Sequence, residues 1–160
     1  GGVLIGAGGG LADIFARGAD FATSMPVIEA RYPEPHDRRL LLLLAQHIWD
    51  PIDAGLWIDA ATDGFGANPA RPVLLLTIPN DRRVPNDTTW FLARTAQLPI
   101  IEGSRFLPWG VPVIEGPHTG SALMVLSSLS EPPDHRALLT DARALSIIGR
   151  YLLSATIDPT

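Results

Sequence analysis

Residues 72–78, PVLLLTI, form an unbroken apolar run entered through one proline and left through Pro79-Asn80-Asp81. With no polar alternation, such a run has no face to give to water. It suits a central strand covered on both sides, which is the environment of a parallel sheet. Parallel neighbours are joined by crossovers, usually helical, so the flanking sequence must supply helices.

Residues 3–6 read as a short buried strand, followed by a glycine turn and a helix from about Leu11 to Arg17. Residues 18–38 carry Pro26, Pro33 and Pro35 and read as irregular surface connection. LLLLLAQHIW (40–49) is too long for a typical strand and reads as a buried helix that stops at Asp50-Pro51. Residues 52–70 are mixed. After the central run, Asn86 or Asp87 can cap a helix that carries Phe91, Leu92 and Ala96 and ends before Pro99. Pro99, Pro108, Pro112 and Pro117 make 100–120 an irregular insertion. SALMVLSSL (121–129) reads as a third strand. Leu138, Ala142, Leu145, Ile148 and Leu152 then lie at helical spacing in an amphipathic helix.

Strand and helix units in series predict an α/β fold, a mostly parallel sheet with flanking helices. At 160 residues with 46% hydrophobic content, residues 1–160 suit a single domain or part of one. The start on a strand-like run without an initiator methionine predicts an excised piece of a longer protein.

Composition narrows the partners. The longest apolar run, Leu40 to Ala45, is far short of the roughly 20 residues of a membrane helix, so no transmembrane segment is expected. No secretory signal is evident. The twelve basic residues are all arginines, scattered except for Arg38-Arg39 and Arg82-Arg83, against seventeen acids and a net charge of −5. That balance disfavours a nucleic-acid partner. Cysteine is absent, which removes disulfides and thiolate metal sites and leaves the compartment open. His36, His47, His118 and His135 show no paired spacing, so neither a metal nor a cofactor is implied by them.

The stretch VLIGAGGGLADIF (3–15) raises a phosphate cradle, because a strand, a glycine turn and a helix start converge backbone N–H groups on one point. Gly6 and Gly8 occupy the first two positions of the dinucleotide fingerprint and Leu11 the third, where a side chain holds helix and strand apart. A Rossmann-like nucleotide module using the Gly6–Gly10 turn, with Glu29 as its ribose acid, is therefore one alternative function.

In a parallel sheet, functional groups gather in loops at the carboxyl ends of the strands. Three loops qualify: GAGGG (6–10), PNDRRVPND (79–87) and SEPPDH (130–135). They offer Asp81, Asp134 and His135. A carboxylate that fixes an imidazole's tautomer and stabilises the imidazolium is the acid and base half of a nucleophilic triad. The nucleophile is missing. No Gly-x-Ser-x-Gly occurs, and Ser104 and Ser121 each have glycine on one side only.

Rival readings attach to several residues. Asp81 also suits a plain turn acid, and Asp87 a helix cap. His118 precedes a strand and so stands at the opposite sheet edge from Asp81. His47 suits a core or boundary position, and His36 lies in a charged surface stretch. The four tryptophans suit packing, with Trp109 placed to line a substrate pocket.

PVLLLTIPNDRRVP resembles the segment of α/β-hydrolases that delivers the catalytic acid: an apolar strand, a short turn, then Asp81-Arg82-Arg83-Val84-Pro85. PPDHRALLTDARALSIIGRYLL resembles the closing unit of that fold, where a histidine after the last strand precedes the C-terminal helix. GGVLIGAGGGLADIF is similar to the strand after the nucleophile helix in certain bacterial lipase- or esterase-like members. The resemblance implies a partial α/β-hydrolase-like domain with Asp81 as triad acid, His135 as general base, and a nucleophile serine upstream of residue 1. It implies a small-molecule carboxylic ester or lipid substrate. A non-catalytic hydrolase-like scaffold is the third reading.

Overall fold

The computed structural model describes residues 1–104, 106–127 and 134–158. In chain order it contains β1 (Gly2–Ile5), α1 (Leu11–Arg17), α2 (Met25–Arg31), α3 (Pro35–Trp49), α4 (Ala54–Thr62), the short pair β2 (Gly64–Phe65) and β3 (Asn68–Pro69), and β4 (Val73–Thr77). There follow α5 (Asn86–Thr95), β5 (Ile100–Ile101), β6 (Val113–Ile114), β7 (His118–Thr119), β8 (Ala122–Val125), a 3-10 turn (His135–Leu139), α6 (Ala142–Ser154) and β9 (Thr156–Ile157).

The chain is α/β, with one parallel five-stranded sheet ordered β1-β4-β8-β5-β6. β4 lies inside it, and all five of its residues are buried. Alternation along the strand divides its side chains between two cores. Leu74 and Leu76 pack with Leu138, Ala144, Ile147 and Tyr151 beneath α6. Val73 and Leu75 join Ile58 of α4 and Trp90, Leu92 and Ala93 of α5 on the other face. Both faces are thereby sealed, as the unbroken apolar run requires. No helix among the described residues is long and apolar enough to cross a membrane.

Several expectations are corrected. Residues 18–38 are not irregular: they hold a 3-10 turn (Ala19–Phe21), α2 and the start of α3. Pro26 and Pro35 sit in the first turns of their helices, where a missing N–H costs nothing, so they open helices rather than break them. The mixed stretch 52–70 contains α4, capped by the Asp53 side chain, and the β2–β3 hairpin. The 100–120 segment is not irregular throughout, because it supplies β5 and β6, which complete the far edge of the sheet. Pro99 and Pro112 each lead into one of those strands and accept ladder hydrogen bonds through their carbonyls, from Leu123 N (2.7 Å) and Ile100 N (2.7 Å).

Helix α3 exists but is not buried: Leu40, Leu43, Leu44 and Ile48 are all exposed, Ile48 at 75%. The final helix turns a different face inward from the expected stripe. Ala144, Ile147 and Tyr151 are buried, whereas Leu145 and Leu152 are exposed. Asp141 caps α6 through Arg143 N and Ala144 N, which separates it from the 3-10 turn and breaks the phase of the pattern. The third strand ends at Val125 in its ladder, and residues 128–129 of the expected run lie outside the described residues.

Candidate functional site

Two chain segments that follow parallel strands converge. After β4, the backbone turns at Asn80 in a left-handed conformation (φ 57°), which Asn tolerates better than most residues. The turn delivers Asp81, whose side chain is fully buried. One carboxylate oxygen accepts the backbone N–H groups of Arg83 (2.9 Å) and Val84 (3.1 Å). The other lies 2.6 Å from Nδ1 of His135, whose side chain is 19% exposed. Asp81 thus has its second oxygen left for the imidazole alone. Because a carboxylate only accepts, Nδ1 carries the proton of this bond, and in the neutral ring Nε2 keeps a free lone pair. Among the described residues Nε2 has no hydrogen-bond partner.

His135 opens the 3-10 turn, and Asp134 caps that turn through Arg136 N (3.0 Å). Asp134 therefore has a helix-end role while His135 faces the acid. The remainder of the expected SEPPDH loop, 130–133, lies outside the described residues.

Two further residues complete its frame. Asn86 was expected as a cap, but Pro85 occupies that position. The Asn86 amide instead donates to Ile78 O (2.8 Å) and Thr77 Oγ1 (3.3 Å), while its oxygen accepts Asp81 N (3.3 Å). It ties the acid turn back to the end of β4. Gly6, in the left-handed region at φ 55°, donates to Leu76 O (2.7 Å) and lies close beside the imidazole. A Cβ at Gly6 would overlap His135 Cε1. The sequence signal for Gly6 was the glycine turn itself; its neighbour was hidden by 128 residues of intervening chain.

The other candidates lie elsewhere. Asp87 does not cap its helix but pairs with Arg17 at 2.5 Å. His118, in β7, pairs with β9 ahead of β8 and so stands at the amino end of the sheet. His47 is neither core nor boundary: its side chain is 89% exposed and lies 3.6 Å from Asp50. His36 and Glu29 are on the surface. Trp109 is 91% exposed and lines no described pocket, whereas Trp90 is buried and stacks on Phe106. Ser104 and Ser121 use their hydroxyls inside the sheet, accepting Val125 N (3.3 Å) and Val73 N (3.0 Å).

The start of α1 is occupied from within. Asp53, 2% exposed, accepts Gly10 N (2.9 Å), Leu11 N (2.7 Å), Gly55 N (2.7 Å) and Gln46 Nε2 (2.8 Å). Burial opposes its charge, but these four donors prevail and hold its pKa below the usual aspartate value. Ala12 N is taken by Gln46 Oε1 at 2.8 Å. The amides that a phosphate would need thus already face a carboxylate and an amide oxygen.

Compared with models of known protein families, with curated proteins and with solved structures, the chain matches none of them.

Proposed function

We propose that this chain supplies the acid and the general base of a serine hydrolase acting on carboxylic esters, in an α/β-hydrolase-like arrangement. The supporting observation is the 2.6 Å contact between His135 Nδ1 and Asp81 Oδ2 at the carboxyl edge of a parallel sheet. Asp81 holds the Nδ1–H tautomer, so Nε2 is the atom that takes the nucleophile's proton and later returns it to the leaving alcohol. The buried carboxylate stabilises the imidazolium between those two steps, and Gly6 leaves room for the ring to lie where it does. In this reading the nucleophile serine belongs to a segment upstream of residue 1, since no Gly-x-Ser-x-Gly occurs within the chain.

The nucleotide alternative has less support, because Asp53 and Gln46 engage the amides at the start of α1. The test is ester hydrolysis, with p-nitrophenyl butyrate, by a protein in which this chain is joined to such an upstream segment. His135→Ala is expected to lower kcat by at least about 10³-fold. Near wild-type turnover in that variant rejects the reading.

A further inference from the structure

The outer face of α3 is apolar and has no cover among the described residues. Leu41, Ala45 and Trp49 turn inward, and the Trp49 ring lies 5.8 Å from that of Phe15 in α1. His36, Leu40, Leu43 and His47 lie on the opposite side, all exposed, at successive spacings of four, three and four residues. That spacing keeps one stripe turned toward a single neighbouring helix, as in the seam of a two-helix pair. Leu44 and Ile48 border the stripe on one flank. On the other, Leu56 of α4 shares a cleft wall with Leu43.

Area and charge together say what covers this face. Leu40, Leu43, Leu44, Ile48 and Leu56 are each 51–75% exposed. They present roughly 600 Å² of apolar side chain, at the top of the range for the largest patch on a typical monomer. A standard interface takes about 800 Å² from each partner, little more than half of it apolar, so this face is large enough for one. Arg39 near the start of α3 and Asp50 just past its end both line the cleft, so they stand on the same flank of the stripe. Arg39 makes no hydrogen bond or ion pair among the described residues. Asp50 Oδ1 accepts Gln46 Nε2 at 2.9 Å, whereas Oδ2 lies 3.6 Å from Nδ1 of His47, a side chain itself 89% exposed.

A second copy of α3, related by a two-fold axis beside Leu43 and Leu44, runs antiparallel to the first and sets like flanks together and unlike ends together. Arg39 of each copy then meets Asp50 of the other, and the pair occurs twice. A parallel copy would set Arg39 against Arg39.

We propose that the chain forms a two-fold symmetric dimer through antiparallel packing of α3, with Leu40, Leu43 and Leu44 at its centre and reciprocal Arg39–Asp50 pairs toward its ends. Asp81, His135 and Gly6 lie outside α3 and α4, so the dimer stands or falls separately from the hydrolase reading.

Sedimentation velocity of the whole chain tests it. A species of twice the 17.2 kDa chain mass is expected at micromolar concentration. Leu43→Glu, at an exposed position, is expected to give a monomer with unchanged circular dichroism. Arg39→Asp sets two carboxylates together in each pair, and Asp50→Arg two guanidinium groups; each is expected to raise the dimer Kd at least about tenfold. Both changes in one chain restore the pairs with their signs exchanged, and the Kd is expected to return to within about threefold of the wild type. Should Leu43→Glu fail to fold, the charge exchange decides alone. A wild-type monomer at about 100 μM, a dimer that survives Leu43→Glu, or a double variant no tighter than the single ones overturns the inference.

Discussion

The Cα of Gly6 and the imidazole of His135 occupy adjoining space with no allowance for a methyl group between them. One residue opens the turn after β1, and the other opens the turn before α6. Their contact brings the end of the first strand against the turn that precedes the last helix.

Gly6→Ala is therefore expected to act twice. It places a β-carbon in a left-handed backbone, costing about 1–2 kcal/mol, and it displaces the imidazole from Asp81. Urea unfolding reads the first effect, and the ¹⁵N shifts of the His135 ring read the second. A ring signal unchanged from the wild type would refute the contact.

Asn86→Ala removes three hydrogen bonds that bind the acid turn to β4. With Ile78 O and Asp81 N left without their partner, a loss of roughly 1–3 kcal/mol is expected. The urea midpoint should fall with an unchanged m-value.

Asp53 makes stability depend on acid. Its folded pKa lies below its unfolded value of about 3.9, so the stabilisation is fully present above that value. It is lost as pH falls through the lower folded pKa. Urea midpoints measured from pH 6 downward should therefore drop more steeply in the wild type than in Asp53→Asn. Parallel curves would show that the carboxylate's charge contributes nothing.

Tyr151 carries the opposite limb. Burial pushes its phenol up to about 12, and its hydroxyl donates to Gly120 O at 3.0 Å. Stability from this group is complete below the ordinary tyrosine value of about 10 and disappears as pH rises through about 12. Ultraviolet titration should show one of the two tyrosines ionising late, and Tyr151→Phe should delete that late step. The substitution is expected to cost about 1 kcal/mol at neutral pH.

The sheet was legible where hydrophobicity is dense. Val73–Thr77 announces a doubly covered strand, and the loops after it and after β8 follow from the rule that places chemistry at carboxyl ends. β5 and β6 were invisible because two residues each hold no periodicity, and their identity depends on ladder partners far along the chain. The prolines misled, since the same residue that ends one helix begins another. The exposure of α3 was unreadable because five successive leucines signal burial in any environment that offers a partner. Asp81 and His135 were paired on chemical grounds and the fold brings them into contact, while the contacts that Asn86 and Gly6 make with them exist only in the assembled sheet.

The turn after β1 has a consequence for inheritance. At Gly6, Gly8 and Gly9 an added β-carbon meets, respectively, the His135 ring, Thr88 with Val84, and Leu92 with Phe91 and the Cα of Gly55. Any change in the first or second base of a glycine codon introduces a side chain, so mutations there meet an occupied wall. The leucines of α3 face no such wall. Among descendants of this gene, the turn should stay nearly constant while the outer face of α3 exchanges one apolar residue for another.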